Sequence, residues 1–307
     1  MNKNKKMLGK AAKNMYNNML DNQTYTGYLF IAPNLILYLI FFVVPFISTL
    51  LLSFTKCDLF SAPKFTGLTN YIHLFQDDLF IKTLGNTFYY SFVAVFSAVF
   101  VAFWIALLLN RKMRGVVFFR TIFFLPYVSL MVAVAIVWNW MYNADYGLFN
   151  YILGLVGIDG PNWLNSATWA MPAIIIFSNW GGIGFPILIY LAAFQGIPDE
   201  LYEAAKIDGA NWWQRIRYIT IPMSSTATFF ALTVSLIGAF QAFDQFYILT
   251  KGGPAYSTTT LAFYIYENAF GWFKMGYAST IAVVLFIVIM IITIIQWKIR
   301  NRWVFEG

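Results

Sequence analysis

The sequence has little charge, a single cysteine and a single histidine among its 307 residues. Charged side chains make up 11% of the chain, whereas soluble domains carry about 25%. Cys57 alone excludes a disulfide framework, and together with His73 it excludes a dense Cys/His metal site. The scarcity of charge is atypical of a soluble domain and indicates a membrane protein.

Two other common features are missing. No G-x-x-x-x-G-K-[ST] sequence occurs, so the chain carries no phosphate-binding loop for ATP, and Gly252-Gly253-Pro254 is a turn signal instead. A net charge of +7 favours nucleic-acid binding only where basic residues form a patch on a polar surface. Here they flank apolar segments, so no nucleic-acid partner is expected.

Hydrophobic residues account for 60% of the chain and group into six runs of membrane-spanning length. A helix crosses a bilayer core with about 20 residues. The predicted spans cover residues 28–54, 86–109, 118–141, 169–194, 219–250 and 275–297. The sequence thus predicts an all-α integral membrane protein with a basic tail (1–27), a membrane domain (28–299) and a second tail (300–307). A signal peptide is the alternative for the N-terminal end, but its apolar core of about 7–15 residues would be shorter than the first span.

Lysine and arginine are distributed unevenly between the predicted loops. Fifteen lie on the side that carries both tails, the 110–120 loop and the 197–222 loop, and five lie on the other side. Positively charged residues accumulate on the cytoplasmic side of membrane proteins. The sequence therefore predicts that both termini and the 197–222 loop face the cytoplasm, in a multi-pass protein of the cytoplasmic membrane.

The 197–222 loop is the longest polar stretch between apolar runs. Pro198, Asp199 and Glu200 suit the first turn of a helix, and Gly209 suits its end. A second short helix is predicted from Asn211 towards Pro222. A two-turn helix is unstable alone in water, so it is expected to dock on a partner. A solvated loop between two spans is the alternative interpretation.

Three short sequences in this loop resemble the EAA loop of bacterial ABC importer membrane subunits. They are Glu203-Ala204-Ala205, Asp208-Gly209-Ala210 and Ile219-x-Ile221-Pro222, with isoleucine where the family usually has leucine before proline. In that family the loop is cytoplasmic and forms the coupling helix, which sits in a cleft of the ATP-hydrolysing subunit. The resemblance implies an ATPase-coupling role for Glu203, Ala204, Ala205, Asp208, Gly209, Ala210 and Pro222.

The resemblance extends over nearly the whole chain from Tyr25. The fifth run leading into residues 249–254, followed by Gly276-Tyr277-Ala278, is similar to the MalF-like permease subunits of carbohydrate importers. This implies an ABC type I importer permease fold without enzymatic activity of its own. It further implies as partners a second, MalG-like permease, two ATP-binding subunits and an extracytoplasmic sugar-binding lipoprotein. No cofactor is expected in this chain, because the ATP-binding subunits hold ATP and Mg.

Asp244 is the one acidic residue within an apolar run. A charge at the bilayer centre costs about 2.5–3.5 kcal/mol on insertion scales, so Asp244 is expected to face protein or a watery cavity. Phe240, Gln241, Asp244 and Tyr247 are predicted on one side of a helix. Amides, a carboxylate and aromatic rings suit a sugar. Alternatively, Asp244 lies near the outer interface, solvated or paired.

The fourth run contains three glycines and a proline between Gly181 and Pro186, which are expected to loosen its helix. Trp180, Gly184 and Ile187 share one face. Close packing of helices through small residues is the competing explanation for the glycines. The family resemblance implies a sugar path that includes Gly184, Ile187, Phe240, Gln241 and Asp244.

The cargo is predicted from what the spans lack. No lysine or arginine lies within the uncharged cores of the spans, so the spans offer no buried positive charge to pair with a phosphate or carboxylate of a substrate. This favours a neutral mono- to oligosaccharide over glycerol phosphate or an anionic sugar. The alternative is a secondary transporter driven by an ion gradient, with Asp244 as the ion site. Such transporters show paired broken helices, which the sequence does not indicate.

Overall fold

The structure is a computed structural model that describes residues 23–304, apart from residues 59, 112 and 113. Residues 1–22 of the predicted N-terminal tail and residues 305–307 lie outside the described residues. The described chain is helical except for its loops and one antiparallel ribbon. In this ribbon β1 (Thr55–Lys56) pairs with β2 (Lys64–Phe65).

The helices follow one another with short connections. In the first half they are α1 (Gln23–Tyr38), α2 (Val44–Leu52), α3 (Thr69–Phe75), α4 (Asp78–Leu109), α5 (Val116–Val128), α6 (Met131–Met141), α7 (Leu148–Leu155) and α8 (Ala170–Gly182). The second half contains α9 (Gly184–Gln195), α10 (Asp199–Ile207), α11 (Trp212–Arg215), α12 (Ile221–Met223), α13 (Ser225–Phe240), α14 (Asp244–Leu249), α15 (Leu261–Tyr266) and α16 (Met275–Arg300). Leu39–Val43, Ile216–Thr220 and Glu267–Gly271 are π-helical turns.

The described residues contain three helices long and apolar enough to cross a membrane: Thr26–Leu52, Asp78–Leu109 and Met275–Arg300. Three bent pairs bring the possible number of spans to six. These are α5–α6, bent by 99°, α8–α9, bent by 46°, and Trp212–Met223 with α13, bent by 61°. Breaks within the third and fifth spans were not predicted. The break in the fourth span lies where Gly181, Gly182, Gly184 and Pro186 were expected to loosen its helix.

Proline explains part of this irregularity. Pro186 has no amide hydrogen to donate to the carbonyl of Gly182, and the α8–α9 bend lies between these two residues. Pro45 and Pro222 each follow a π-helical turn, which shifts the hydrogen-bond register just ahead of the missing donor. The bend between α5 and α6 instead arises at Ser129 and Leu130, whose extended backbones turn the chain.

Helix α4 is the centre of the packing. It lies against α8, α9 and α13, and its small residues Ala102 and Ala106 are fully buried there. The first span is the opposite case, because none of its most apolar window is buried in the chain. Its side chains must therefore be covered by lipid or by another subunit.

The loops gather at the two ends of α4. At its first end Lys82 donates to the carbonyl of Ala255 at 2.7 Å, and Asn86 donates to that of Tyr256 at 2.9 Å. At its last end the guanidinium of Arg111 lies 5.9 Å from the ring of Trp212. The two loops with a predicted cytoplasmic location, 110–120 and 197–222, therefore meet at one end.

Asp77 joins three elements at the other end. Its carboxylate accepts hydrogen bonds from the hydroxyls of Tyr264 and Tyr277, both at 2.7 Å, and from the amide of Leu79 at 2.9 Å. Burial alone would raise the pKa of Asp77, but the hydrogen bonds from Tyr277, Tyr264 and the backbone outweigh it and hold the pKa below its ordinary value.

Asp77→Asn is expected to destabilise the chain, because each hydrogen bond to a charged group loses about 1 kcal/mol when the acceptor becomes neutral. The lowered pKa means that this stability is fully present above the ordinary value of 3.8 and is lost as pH falls through the folded-state pKa. In detergent, the melting temperature of Asp77→Asn should lie below that of wild type at pH 7, and this difference should disappear at acidic pH. Asp78→Asn is the matched control, since Asp78 is exposed. An equal loss of stability in Asp77→Asn and Asp78→Asn would contradict the stabilising role of the Asp77 carboxylate.

Candidate functional site

Helix α10 ends as its sequence predicts. Gly209 has a φ of +78°, which glycine adopts without strain. Its amide donates to the carbonyl of Lys206 at 3.1 Å, and the amide of Ala210 donates to that of Ala205 at 2.8 Å. This pair of bonds is a Schellman motif, and it fixes the point at which the chain leaves the helix.

No described residue of the chain covers the outer surface of α10. Glu203, Ala204 and Asp208 are exposed, and Ile207 is 87% exposed. Tyr202 anchors the other side, because its hydroxyl lies 3.0 Å from that of Thr220. A helix of this length that leaves a large apolar side chain in the open is suited to docking on another protein.

The rest of the loop forms a platform beside α10. The side chains of Asn211 and Gln214 form a reciprocal capping box at the start of α11. The ring of Trp213 packs on that of Trp104 of α4, with ring centroids 5.7 Å apart. A groove of 820 Å³ separates the 110–120 loop from the start of α10, with Arg111 and Arg120 on one side and Asp199 and Glu200 on the other. Ala205 and Ala210 are half-buried. Pro222 is half-buried at the start of α12, away from the exposed surface of α10.

Three interruptions of the helices meet at a cavity of 580 Å³. They are the α5–α6 break near Ser129, the α8–α9 break near Gly182, and the turn at 241–243 between α13 and α14. Irregular backbone at membrane depth is tolerated where it lines a cavity or is buried in protein. The remaining wall comes from α4, which contributes Tyr90, Ala94, Val95 and Ala98.

Hydrogen bonds hold four polar side chains of the cavity lining, namely Tyr90, Ser178, Asn179 and Gln245. The amide of Gln245 donates to the hydroxyl of Tyr90 at 2.7 Å, and that hydroxyl donates to Ser178 at 3.0 Å. Next to Ser178, the amide of Asn179 donates to the hydroxyl of Ser97 at 2.7 Å. These two links tie α8 and α14 to α4 and orient both amides.

Two of the residues predicted along the substrate path line this cavity. Gln241 and Asp244 are both exposed within it. Phe240 and Tyr247 were predicted on the same helical side, but the helix is interrupted after Phe240 and begins again at Asp244. Phe240 is consequently 1% exposed in the apolar core, and Tyr247 stacks on Phe243 with ring centroids 5.4 Å apart. The four residues therefore do not share one helical face, and that prediction is corrected.

The predicted residues of the fourth span lie outside the cavity lining. Ile187 is buried in the core, and Trp180 packs on Trp138 with ring centroids 5.3 Å apart. A Cβ atom on Gly184 would lie 2.9 Å from the carbonyl oxygen of Phe123, so this glycine allows α9 to approach α5. The packing explanation therefore fits Gly184, whereas Gly181 and Gly182 reach the cavity.

Sequence reasoning missed most of the polar lining. Asn179 directly precedes the glycine-rich stretch of the fourth span, and this position could have marked it as a lining residue. Tyr90 and Gln245 are 155 residues apart, and nothing in a single sequence pairs them. Asp244 is the charged side chain among the lining residues, and no group of His, Cys, Asp or Glu suited to a metal ion occurs in the described part of the chain.

Tyr90→Phe is expected to lower the stability of the chain by about 1–3 kcal/mol, because it leaves the amide of Gln245 without its buried acceptor. Tyr89→Phe is the matched control, since the adjacent Tyr89 is half-exposed. Chemical or thermal unfolding of the two variants in detergent measures the difference. Equal stabilities of Tyr90→Phe and Tyr89→Phe would show that the hydrogen bonds of the Tyr90 hydroxyl do not stabilise the fold.

Residues 86–305 match the family described as binding-protein-dependent transport system inner membrane component. The chain belongs to this family. It is 37% identical to the probable ABC transporter permease protein YurN of Bacillus subtilis over 285 residues, covering 91% of this chain and 97% of that one. It is 34% identical to the trehalose/maltose permease MalF of Thermococcus litoralis, covering 93% and 98% respectively.

A solved structure shares the fold of this permease. It is a bacterial ABC transporter involved in the import of the acidic polysaccharide alginate, with a TM-score of 0.81 and 24% identity over 94% of this chain and 99% of that one. The predicted resemblance to MalF-like permease subunits is confirmed, as is the helical ABC permease fold. The permease is an inner-membrane component and is not itself an enzyme.

Proposed function

We propose that this permease moves a neutral mono- to oligosaccharide through the cavity into the cytoplasm, driven by ATP hydrolysis on partner subunits. The observation that carries the proposal is the meeting of three helix breaks at a cavity lined by oriented amides and hydroxyls. Amides and hydroxyls offer both donors and acceptors, which is what the hydroxyls of a sugar require. Aromatic side chains such as Tyr127 and Phe243 supply apolar faces for its C–H groups.

The charge of the lining supports a neutral cargo. No lysine or arginine is among the described residues that line the cavity, and Asp244 would repel an anion. The trehalose/maltose permease is named for neutral sugars. The alginate importer is named for an acidic polysaccharide, but at 24% identity it supports the fold alone.

The assembly we propose has this chain as one of two pseudo-symmetric permeases. The three long helices and three bent pairs supply six spans, with both termini in the cytoplasm. Two ATP-binding subunits hold ATP and Mg, and one of them receives α10. An extracytoplasmic lipoprotein delivers the sugar. Movement of α10 is passed to the spans, which alternate between outward and inward access.

The test is uptake into vesicles that contain the assembled importer. Labelled trehalose, maltose, lactose, an arabinotriose, alginate oligosaccharides and glycerol 3-phosphate are offered with the matching binding protein. Uptake of a neutral sugar is expected to require ATP and to survive a protonophore. Uptake of the anionic compounds alone would overturn the neutral cargo, and uptake without ATP-binding subunits would overturn the coupling.

The ion-driven alternative needs one correction. Paired broken helices were not predicted, yet the structure has three bent helix pairs, so this argument against a secondary transporter does not hold. Membership of a binding-protein-dependent family disfavours the alternative instead. Asp244→Asn separates the two mechanisms, because an ion site would lose all driving force whereas a cavity residue would alter sugar affinity.

A further inference from the structure

Helix α7 carries an apolar surface that is left uncovered by the part of the chain that the structure describes. Tyr151 is 65% exposed, Leu155 is 69% exposed, and Val156, just after the helix, is 70% exposed. Ile152 completes the same side at half exposure. At 1.5 Å per residue the helix is about 12 Å long, which is too short to cross a membrane.

The opposite side of α7 is firmly fixed to the protein. The ring of Phe149 packs 5.4 Å from Trp138 of α6 and 5.0 Å from Tyr142. Asn150 donates to the carbonyls of Ala144 and Pro161 at 3.0 and 3.2 Å, and its side-chain oxygen accepts from the indole of Trp163 at 2.7 Å. The outward direction of the apolar side is therefore set by the fold.

The surroundings of this surface have the composition of a membrane interface. On α6, Ile136, Val137 and Trp140 are also more than half exposed, so the apolar surface continues along a helix of the membrane domain. The segment 142–168 has no lysine or arginine, and its two acids, Asp145 before α7 in the sequence and Asp159 after it, are exposed. Exposed tyrosines and tryptophans at such a boundary are typical of the headgroup region.

We infer that α7 lies flat in the outer leaflet, with its apolar side at the boundary between headgroups and acyl chains. Interfacial helices of this kind sit about 5–10 Å into that boundary. Asp145 and Asp159 then reach the water. None of the exposed residues of α7 lines the central cavity, so a second permease that encloses the cavity does not need to cover this side. The helix fixes the depth of α6, whose other end is the 99° break at the cavity.

Site-directed spin labelling tests this inference in the assembled importer in lipid nanodiscs. Cys57→Ser removes the one cysteine of the sequence, so each cysteine introduced into this background is the single labelling site of the permease chain. Leu155→Cys carries the label on the apolar side, and Asp159→Cys is the matched control. Both residues are exposed, so neither change disturbs the packing.

The measurement compares collisions of each label with oxygen, which concentrates in lipid, and with a water-soluble nickel chelate. The label at 155 is expected to favour oxygen and the label at 159 to favour nickel, so that the depth parameter changes sign between them. Nickel access at 155 equal to that at 159 would show that α7 projects into water. Protection of 155 from both reagents would show that a protein covers it. Either result overturns the inference.

Discussion

Replacing Glu203 with lysine is expected to abolish ATP-driven uptake while the permease remains folded and inserted. Glu203 is exposed on α10, and its side chain makes no hydrogen bond or ion pair to the described part of the chain. A charge reversal there removes nothing that stabilises the fold. The change is expected to act at the contact that we propose between α10 and the ATP-binding subunit.

The size of the effect follows from the proposed docking. Juxtaposing like charges in an interface costs several kcal/mol, so uptake should fall by about a hundredfold or more. The ATPase activity of the complex is expected to lose its response to the binding protein and sugar. The Schellman motif at Gly209 holds α10 in shape, so the change acts on docking and not on the helix itself.

Asp159→Lys is the matched control, because it makes the same charge change at an exposed acid on the other side of the membrane domain. It should leave uptake near the wild-type level. A combined assay of uptake and of co-purification with the ATP-binding subunit separates loss of docking from loss of coupling. Full uptake by Glu203→Lys would show that α10 does not dock through this residue.

Features set by neighbouring residues could be predicted from the sequence. The helix at 199–207 and its end at Gly209 depend on a few local positions, and both are present. The apolar runs likewise appear as helices or bent pairs. Helix α4 begins at Asp78, before the predicted second span, and the side chain of Asp77 caps it there.

Features set by contacts between distant residues could not be predicted. The 99° bend at Ser129 and Leu130 has no glycine, and the nearest proline lies inside α5, so nothing local marks it. The turn after Phe240 interrupts a run that reads as continuous helix, and this separated Phe240 from Gln241 and Asp244. The bond between Tyr90 and Gln245 exists only because α4 and α14 are packed together.

Gly184→Ala and Gly182→Ala are expected to change stability in opposite directions. A Cβ atom on Gly184 would lie 2.9 Å from the carbonyl oxygen of Phe123 and 3.0 Å from the Cβ of Tyr127, so α5 and α9 must move apart. Overpacking of this kind costs about 1–3 kcal/mol. A Cβ atom on Gly182 meets nothing within 4 Å, so alanine there gains about 0.5–1 kcal/mol of helix stability.

The pair also distinguishes the two interpretations of the glycines. Thermal unfolding should place the stability of Gly184→Ala below that of wild type and the stability of Gly182→Ala above it. Uptake kinetics report on the cavity. Gly182 lines the cavity and Gly184 does not, so a rise in KM without loss of stability is expected only for Gly182→Ala. If Gly184→Ala instead raised KM at unchanged stability, that glycine would contact the sugar as the family resemblance implies. The packing of α9 against α5 would then have to differ when the partner permease is bound.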